Sequence, residues 1–350
     1  IAHYRADGRF SYGISHNVSH RFVPARVADC RVAVMGSSNR PNPEVSHMAN
    51  MTKTVGSRSD MLHKWRVEDS LELYNVRQWG SGFFGVNERG NVIVSSRGSE
   101  GPSIDMKELV DELFERGIEM PILLRFSDIL RARIMQLCEA FKKSFEENSY
   151  HGRYMGVYPI KVNQQRHIVE EIVQYGSPYS FGLEAGSKPE LLAVLATLES
   201  SEPLVICNGY KDCDYIDMAL WATKLGKTVI LVVEEFGELE RIIDRSQVLK
   251  VRPRMGFRMK LAARGSGRWQ ESGGSRSKFG LTITEMLKGV ELLRSEGMLD
   301  CLELTHFHIG SQITNIRSIK EALAEGCRIY LELTKLGVKI QYFDVGGGMA

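Results

Sequence analysis

From His151 onward, short apolar runs alternate with amphipathic stretches of one to two dozen residues, and this rhythm is the strongest constraint on the fold of the 350-residue chain. Such alternation is the pattern of repeated βα units around a buried parallel sheet. Seven strands are predicted, at 154–160, 181–184, 204–207, 228–233, 254–259, 302–309 and 340–345. In the last linking helix, Ile316, Ile319, Leu323, Cys327, Tyr330 and Leu333 recur at helical spacing, with Gly337 placed as a C-terminal cap. Periodicity alone fits a doubly wound open sheet as well as a barrel. The strand exits favour the barrel, because polar or glycine-rich residues follow many strands instead of clustering at one switch point. They are Lys161, Glu184, Asn208-Gly209, Arg258, His308 to Ser311, and Gly346 to Gly348. The prediction is an α/β chain with a (β/α)8 TIM-type barrel whose eighth strand is expected beyond Ala350.

Upstream the pattern is weaker. Residues 61–150 are predicted to form a smaller β/α segment: a strand, tight turn and strand between Leu73 and Ser96, a helix from Asp105, and a helix capped by Ser127-Asp128. Residues 1–60 are expected to be a disordered or non-native leader. The first fifty carry six arginines and four histidines against Asp7, Asp29 and Glu44, so a transit segment is the other reading, with Met48 or Met51 as alternative starts. Residues 151–350 form the predicted barrel.

The formal charge of +2 gives no reason to expect a nucleic-acid partner, and no apolar run approaches the length of a membrane span. The six cysteines (Cys30, Cys138, Cys207, Cys213, Cys301 and Cys327) contain no CxxC pair. They fit reduced thiols in a cytoplasmic protein better than a disulfide framework or a zinc knuckle.

Lys161 ends the strand-like run Tyr158-Pro159-Ile160. An amine in apolar surroundings there suits attack on an aldehyde cofactor, because low polarity disfavours the ammonium; the competing reading is a solvated strand-end charge. Asp344-Val345-Gly346-Gly347-Gly348 can bring several backbone N–H groups onto one phosphate, or be a simple turn. His306 and His308 share one face of their strand. His308 is read as stacking on a flat cofactor, with Gly310-Ser311 donating to it, and His306 as a core histidine; a His-x-His metal site lacks further ligands. The stretch Arg264 to Gly280 reads as a long solvated loop and lacks a dinucleotide fingerprint. An amine, a phosphate-ready glycine run and a stacking imidazole are together what pyridoxal phosphate needs.

Several blocks, in order, resemble the fold-type III, alanine-racemase-like family of pyridoxal-phosphate-dependent ornithine, diaminopimelate and arginine decarboxylases. They are Val157 to Gln164, Gly182 to Lys188, Cys207 to Asp212, Gly265 to Gly267, Trp269-Gln270, Ser277 to Gly280, His306 to Gln312 and Phe343 to Gly348; the upstream Leu73 to Val76 and Trp79-Gly80 also match. The Arg264 to Gly280 stretch and Trp79-Gly80 resemble the arginine branch. The resemblance implies that Lys161 carries the cofactor, His308 stacks on it, Ser311 with Gly346, Gly347 and Gly348 holds its phosphate, Glu184 and Arg258 line the ring, and Phe343, Asp344 and Val345 lie near substrate. It further implies L-arginine as substrate, agmatine and carbon dioxide as products, polyamine synthesis, a magnesium requirement and a dimer-based homo-oligomer. An acid for the ring nitrogen and a thiol from the partner subunit are implied beyond Ala350. A decarboxylase for ornithine or meso-diaminopimelate is the alternative, and a non-catalytic barrel regulator a third reading.

Overall fold

The computed structural model describes residues 2–4, 10–12, 31–33, 64–99, 101–261 and 278–348. Most of the Arg264 to Gly280 loop therefore lies outside the described residues. The chain divides into two compact units, Ile1–Gln136 and Leu137–Ala350.

In the first unit, β1 (Ala2–Tyr4), β2 (Phe10–Tyr12) and β3 (Arg31–Ala33) join β7 (Leu123–Arg125) in an antiparallel sheet of order β2-β1-β3-β7. Thus residues 1–60, expected to be a disordered or non-native leader, contribute three short strands, and the rest of that segment lies outside the described residues. A second sheet contains β4 (Phe84–Val86), β5 (Val92–Ser99) and β6 (Ser103–Asp105), with Phe84 opposite Val94 across the predicted turn. Trp79, expected within the strand region, lies instead in a short helix, α2 (Val76–Gly80), after α1 (Val67–Leu73); its ring tilts against Phe84 at 5.5 Å. Asp105 caps α3 (Met106–Glu115) by accepting from the N–H groups of Lys107 and Glu108, as N-terminal carboxylates do. Helix α4 (Ser127–Glu147) starts at the predicted cap.

The second unit is built from seven parallel strands: β8 (Val157–Pro159), β9 (Gly182–Ala185), β10 (Leu204–Cys207), β11 (Thr228–Val233), β12 (Met255–Arg258), β13 (Leu302–His308) and β14 (Tyr342–Gly346). Their order in the sheet is their order in the chain, without a reversal. A doubly wound sheet requires a reversal at its switch point, so the topology is that of a barrel wall. The longer links are helices: α5 (Arg166–Gly176), α6 (Lys188–Thr197), α7 (Cys213–Lys224), α8 (Phe236–Leu249), α9 (Ile283–Ser295) and α10 (Ile316–Lys335). Gly337 follows the last of them at φ +88°, a left-handed stop that favours glycine.

Strand alternation sorts side chains into two cores. Val205, Cys207, Val229, Leu231, Val233, Met255 and Phe257 face outward and pack under the helices with Ile216, Leu220, Leu239 and Val290. Leu204, Ile206, Ile230, Val232 and Leu304 face inward and fill the lower barrel interior, joined by Val157 and Tyr342. The inward phase then turns polar toward the C-terminal ends, which positions the site.

Candidate active site

Continuing the inward phase of each strand places Glu184, Asn208, Glu234, Arg258, His306, His308 and Asp344 in one polar layer above the apolar interior. Lys161 stands just beyond β8 on a 3-10 turn, Ile160–Val162. Its Nζ donates to Glu184 Oε1 at 3.0 Å. The sequence predicted apolar surroundings for this amine; instead its side chain is 55% exposed and ion-paired, while Glu184 is largely covered. The turn lifts Lys161 off the strand, out of the apolar interior and over the mouth.

Glu234 is the residue that sequence reading passed over. It is 3% exposed, and its Oε1 accepts from Arg258 Nη1 at 2.7 Å and from the Gly209 N–H at 3.1 Å. Burial pushes its carboxyl up, but the cations of Arg258 and Lys211 and the hydrogen bonds it accepts outweigh that and hold it below the usual range. The signal was available: Glu234 directly follows β11 in the inward phase of Ile230 and Val232. Arg258 also lies over the Phe279 ring, 5.4 Å from its centroid.

His308 Nδ1 accepts from the Gly310 N–H at 3.1 Å, so in the neutral ring Nε2 carries the proton. The residue is solvent-exposed, yet partial burial of its ring, then Arg258, His306 and Lys161, push its pKa down to about 4, with Asp344 opposing. His306, read as a core histidine, is buried, with Nδ1 2.8 Å from Asp344 Oδ2 in a close contact too poorly angled to be a hydrogen bond.

The glycine exit of β14 interlocks with the turn after β13. Ile309 N–H donates to Gly346, Gly348 N–H to Gly310, and Ile313 N–H to Gly348, at 3.1, 2.8 and 2.7 Å. A Cβ on Gly346 would lie 2.6 Å from His306 Cε1, one on Gly347 2.6 Å from Ile309 Cγ1, and one on Gly348 3.0 Å from the Gln312 amide nitrogen and 3.3 Å from Ser311 Cα. Ser311 and Gly346–Gly348 are thus brought together, with no room for larger residues. Phe343, Asp344 and Val345 are not. Asp344 alone faces inward, whereas Phe343 packs edge-on against Phe307 and Tyr330 on the helix side, and Val345 shares its phase. Two-residue alternation separates neighbours that the sequence had grouped.

These residues fit a pyridoxal phosphate group. An amine has an acidic partner, a bare glycine cradle is held by backbone bonds, and the buried Asn208 Oδ1 finds no protein donor among the described residues. Magnesium has no comparable fit, since no group of three or more His, Cys, Asp or Glu side chains is placed to hold a metal among the described residues. No helix among the described residues is long and apolar enough to cross a membrane.

A parallel barrel wall with its polar residues gathered at the C-terminal strand ends is the layout of a barrel enzyme domain. The chain belongs to the pyridoxal-dependent decarboxylase family, whose pyridoxal binding domain it matches over residues 131–350. It is 50% identical over 288 residues to the biosynthetic arginine decarboxylase of Bacteroides thetaiotaomicron, covering 82% of this chain and 46% of the relative. It is 52% identical over 285 residues to the enzyme of the same name from Thermosynechococcus vestitus, covering 81% and 45%. Among solved structures, the biosynthetic arginine decarboxylase of Campylobacter jejuni superposes with a TM-score of 0.70 at 34% identity, covering 79% of this chain and 45% of that one. The chain spans about half the length of the curated relatives it matches.

Proposed function

We propose that this chain is the cofactor-binding part of a pyridoxal-phosphate-dependent carboxy-lyase that converts L-arginine to agmatine and carbon dioxide. The observation that carries this reading is the Lys161 amine held 3.0 Å from Glu184 at the mouth of a barrel with an interlocked glycine exit. The choice of arginine rests on relatives named biosynthetic arginine decarboxylase at 50% and 52% identity. The same reading extends to agmatine and polyamine synthesis, a cytoplasmic location and a dimer-based assembly of the whole protein.

Bound pyridoxal phosphate supplies an electron sink for the pair left when the carboxylate departs. The chain's own groups prepare the site. Lys161 Nζ would hold the cofactor through its aldehyde, and Glu184 can hold or take the proton of that amine. Arg258, steadied by Glu234, contributes a fixed cation to the inner face. His308, kept neutral, offers a flat uncharged ring. Gly346, Gly347 and Gly348, with Ser311, form the narrow turn pair suited to a phosphate.

The test is a turnover comparison on the full-length protein with L-arginine, L-ornithine and meso-diaminopimelate, alongside the visible absorbance of bound cofactor. Agmatine as the fastest-formed product supports the reading; arginine turning over more slowly than another amino acid rejects the substrate choice.

A further inference from the structure

Lys211 and Glu238 are both completely buried, although neither faces the barrel mouth. Lys211 Nζ donates to the Gly209 carbonyl at 2.7 Å and to Glu238 Oε2 at 3.2 Å. Glu238 also accepts from the Lys211 N–H at 3.0 Å and the Glu234 N–H at 2.9 Å. Glu234 in turn accepts from the Gly209 N–H at 3.1 Å. The four residues close a ring: Lys211 to Gly209, Gly209 to Glu234, Glu234 to Glu238, and Glu238 back to Lys211.

Two features tie this ring to the site. Gly209, at φ +76°, approaches β9 so closely that a Cβ would lie 2.2 Å from the Gly186 carbonyl oxygen, so the exits of β9 and β10 are fixed together. Glu234 carries Arg258 at 2.7 Å, and its carbonyl accepts from the Gly280 N–H at 2.9 Å, which fixes the exits of β11 and β12. Burying a lysine and a glutamate is a poor way to gain stability, since a well-packed apolar pair of similar volume often does as well or better. What an apolar pair cannot do is hold the Gly209 carbonyl and the Lys211 and Glu234 N–H groups in fixed directions.

We propose that the buried Lys211–Glu238 pair is a positioning device for the barrel mouth, aiming Glu234 and, through it, the Arg258 guanidinium at the cofactor ring. The inference rests on the cofactor reading above. Lys211 and Glu238 touch neither substrate nor cofactor; they act through Gly209 and Glu234.

The experiment uses the full-length protein loaded with pyridoxal phosphate and compares wild type, Lys211→Met, Glu238→Leu, the Lys211→Met/Glu238→Leu double variant and Glu234→Gln. Each single variant at the pair leaves a buried charge unpaired and should melt well below wild type, and the double variant should recover much of that loss. Despite this recovery, kcat in the double variant should fall by about 10- to 100-fold with KM little changed, as expected when reacting groups are misaimed. The visible absorbance of bound cofactor should also change its pH dependence. Glu234→Gln, which leaves the Lys211–Glu238 pair intact but takes the carboxylate from Arg258, should reproduce the kcat loss and the spectral change with a smaller drop in melting temperature than either single variant at the fully buried pair. A double variant or a Glu234→Gln protein that matches wild type in kcat and absorbance overturns the inference; if the double variant does not fold, Lys211→Met measured below its own melting transition takes its place. A wild type that takes up no pyridoxal phosphate would refute the function proposed above, whereas matching variants of a wild type that does would refute this inference only.

Discussion

The Lys161 amine and the Glu184 carboxylate meet at 3.0 Å although 23 residues separate them, because β8 and β9 are neighbouring parallel strands with Pro159 paired opposite Glu184. Lys161 turns back from its 3-10 turn across that pairing. The strand pairing therefore sets the acid beside the amine.

Removing the amine should abolish the chemistry. Lys161→Ala in the full-length protein is expected to lose the visible absorbance of covalently held pyridoxal phosphate and essentially all decarboxylation. Glu184→Gln should keep the absorbance and lose on the order of 10²-fold in kcat, the usual scale for a proton-handling carboxylate. Both are read by spectrophotometry and carbon dioxide release, and an active Lys161→Ala would contradict the assignment.

His308 predicts a pH window. Its folded-state pKa falls from the ordinary 6.5 to about 4, so the unfolded chain takes up the proton first as the solution is acidified. This group leaves stability unaffected above about 6.5 and withdraws it progressively as pH falls from 6.5 towards 4. Melting temperatures of wild type and His308→Gln across that range should diverge, with wild type falling more steeply. Parallel curves would count against it.

Gly346→Ala tests the glycine exit. The added methyl would meet His306 Cε1 at 2.6 Å and the Phe307 carbonyl at 2.9 Å, so neighbours must shift. The expected cost is about 1–3 kcal/mol of stability, together with weaker uptake of pyridoxal phosphate. Urea denaturation and absorbance titration measure the two separately.

A change under the helices should act differently. Leu220 on α7 is fully buried in the outer core, and Leu220→Ala should cost about 2–5 kcal/mol in urea unfolding while leaving kcat near wild type below the transition. A large kcat loss in a fully folded Leu220→Ala protein would show that the two layers are more tightly coupled than described.

Much of the barrel was legible because its information is local. The predicted strands 204–207 and 228–233 coincide with β10 and β11, since an apolar β-branched run bounded by turn residues needs no tertiary context to be recognised. Lys161, Glu184, Arg258 and His308 were legible as strand exits. Trp79 was not, because an aromatic residue near a turn suits a short helix as well as a strand. Lys211 was hidden for another reason: in sequence it resembles a solvated charge, and its partner Glu238 lies 27 residues away on the helix after the next strand. Arg258 and Glu234, 24 residues apart, are likewise joined only by sheet order. Sequence spacing records which residues end strands; it does not record which strands lie side by side.

The unreversed order of β8 to β14 also bears on how such a protein can change over time. Each strand delivers its polar residue to the mouth through its own independent connection, so lineages can lengthen, shorten or replace one connection while the others keep their anchors. Drift in substrate preference then requires edits at a few loop tips, with no need to rebuild the scaffold. The ring through Gly209, Glu234, Glu238 and Lys211 marks the region where that freedom is smallest, because there the connections after β10 and β11 are bound to each other.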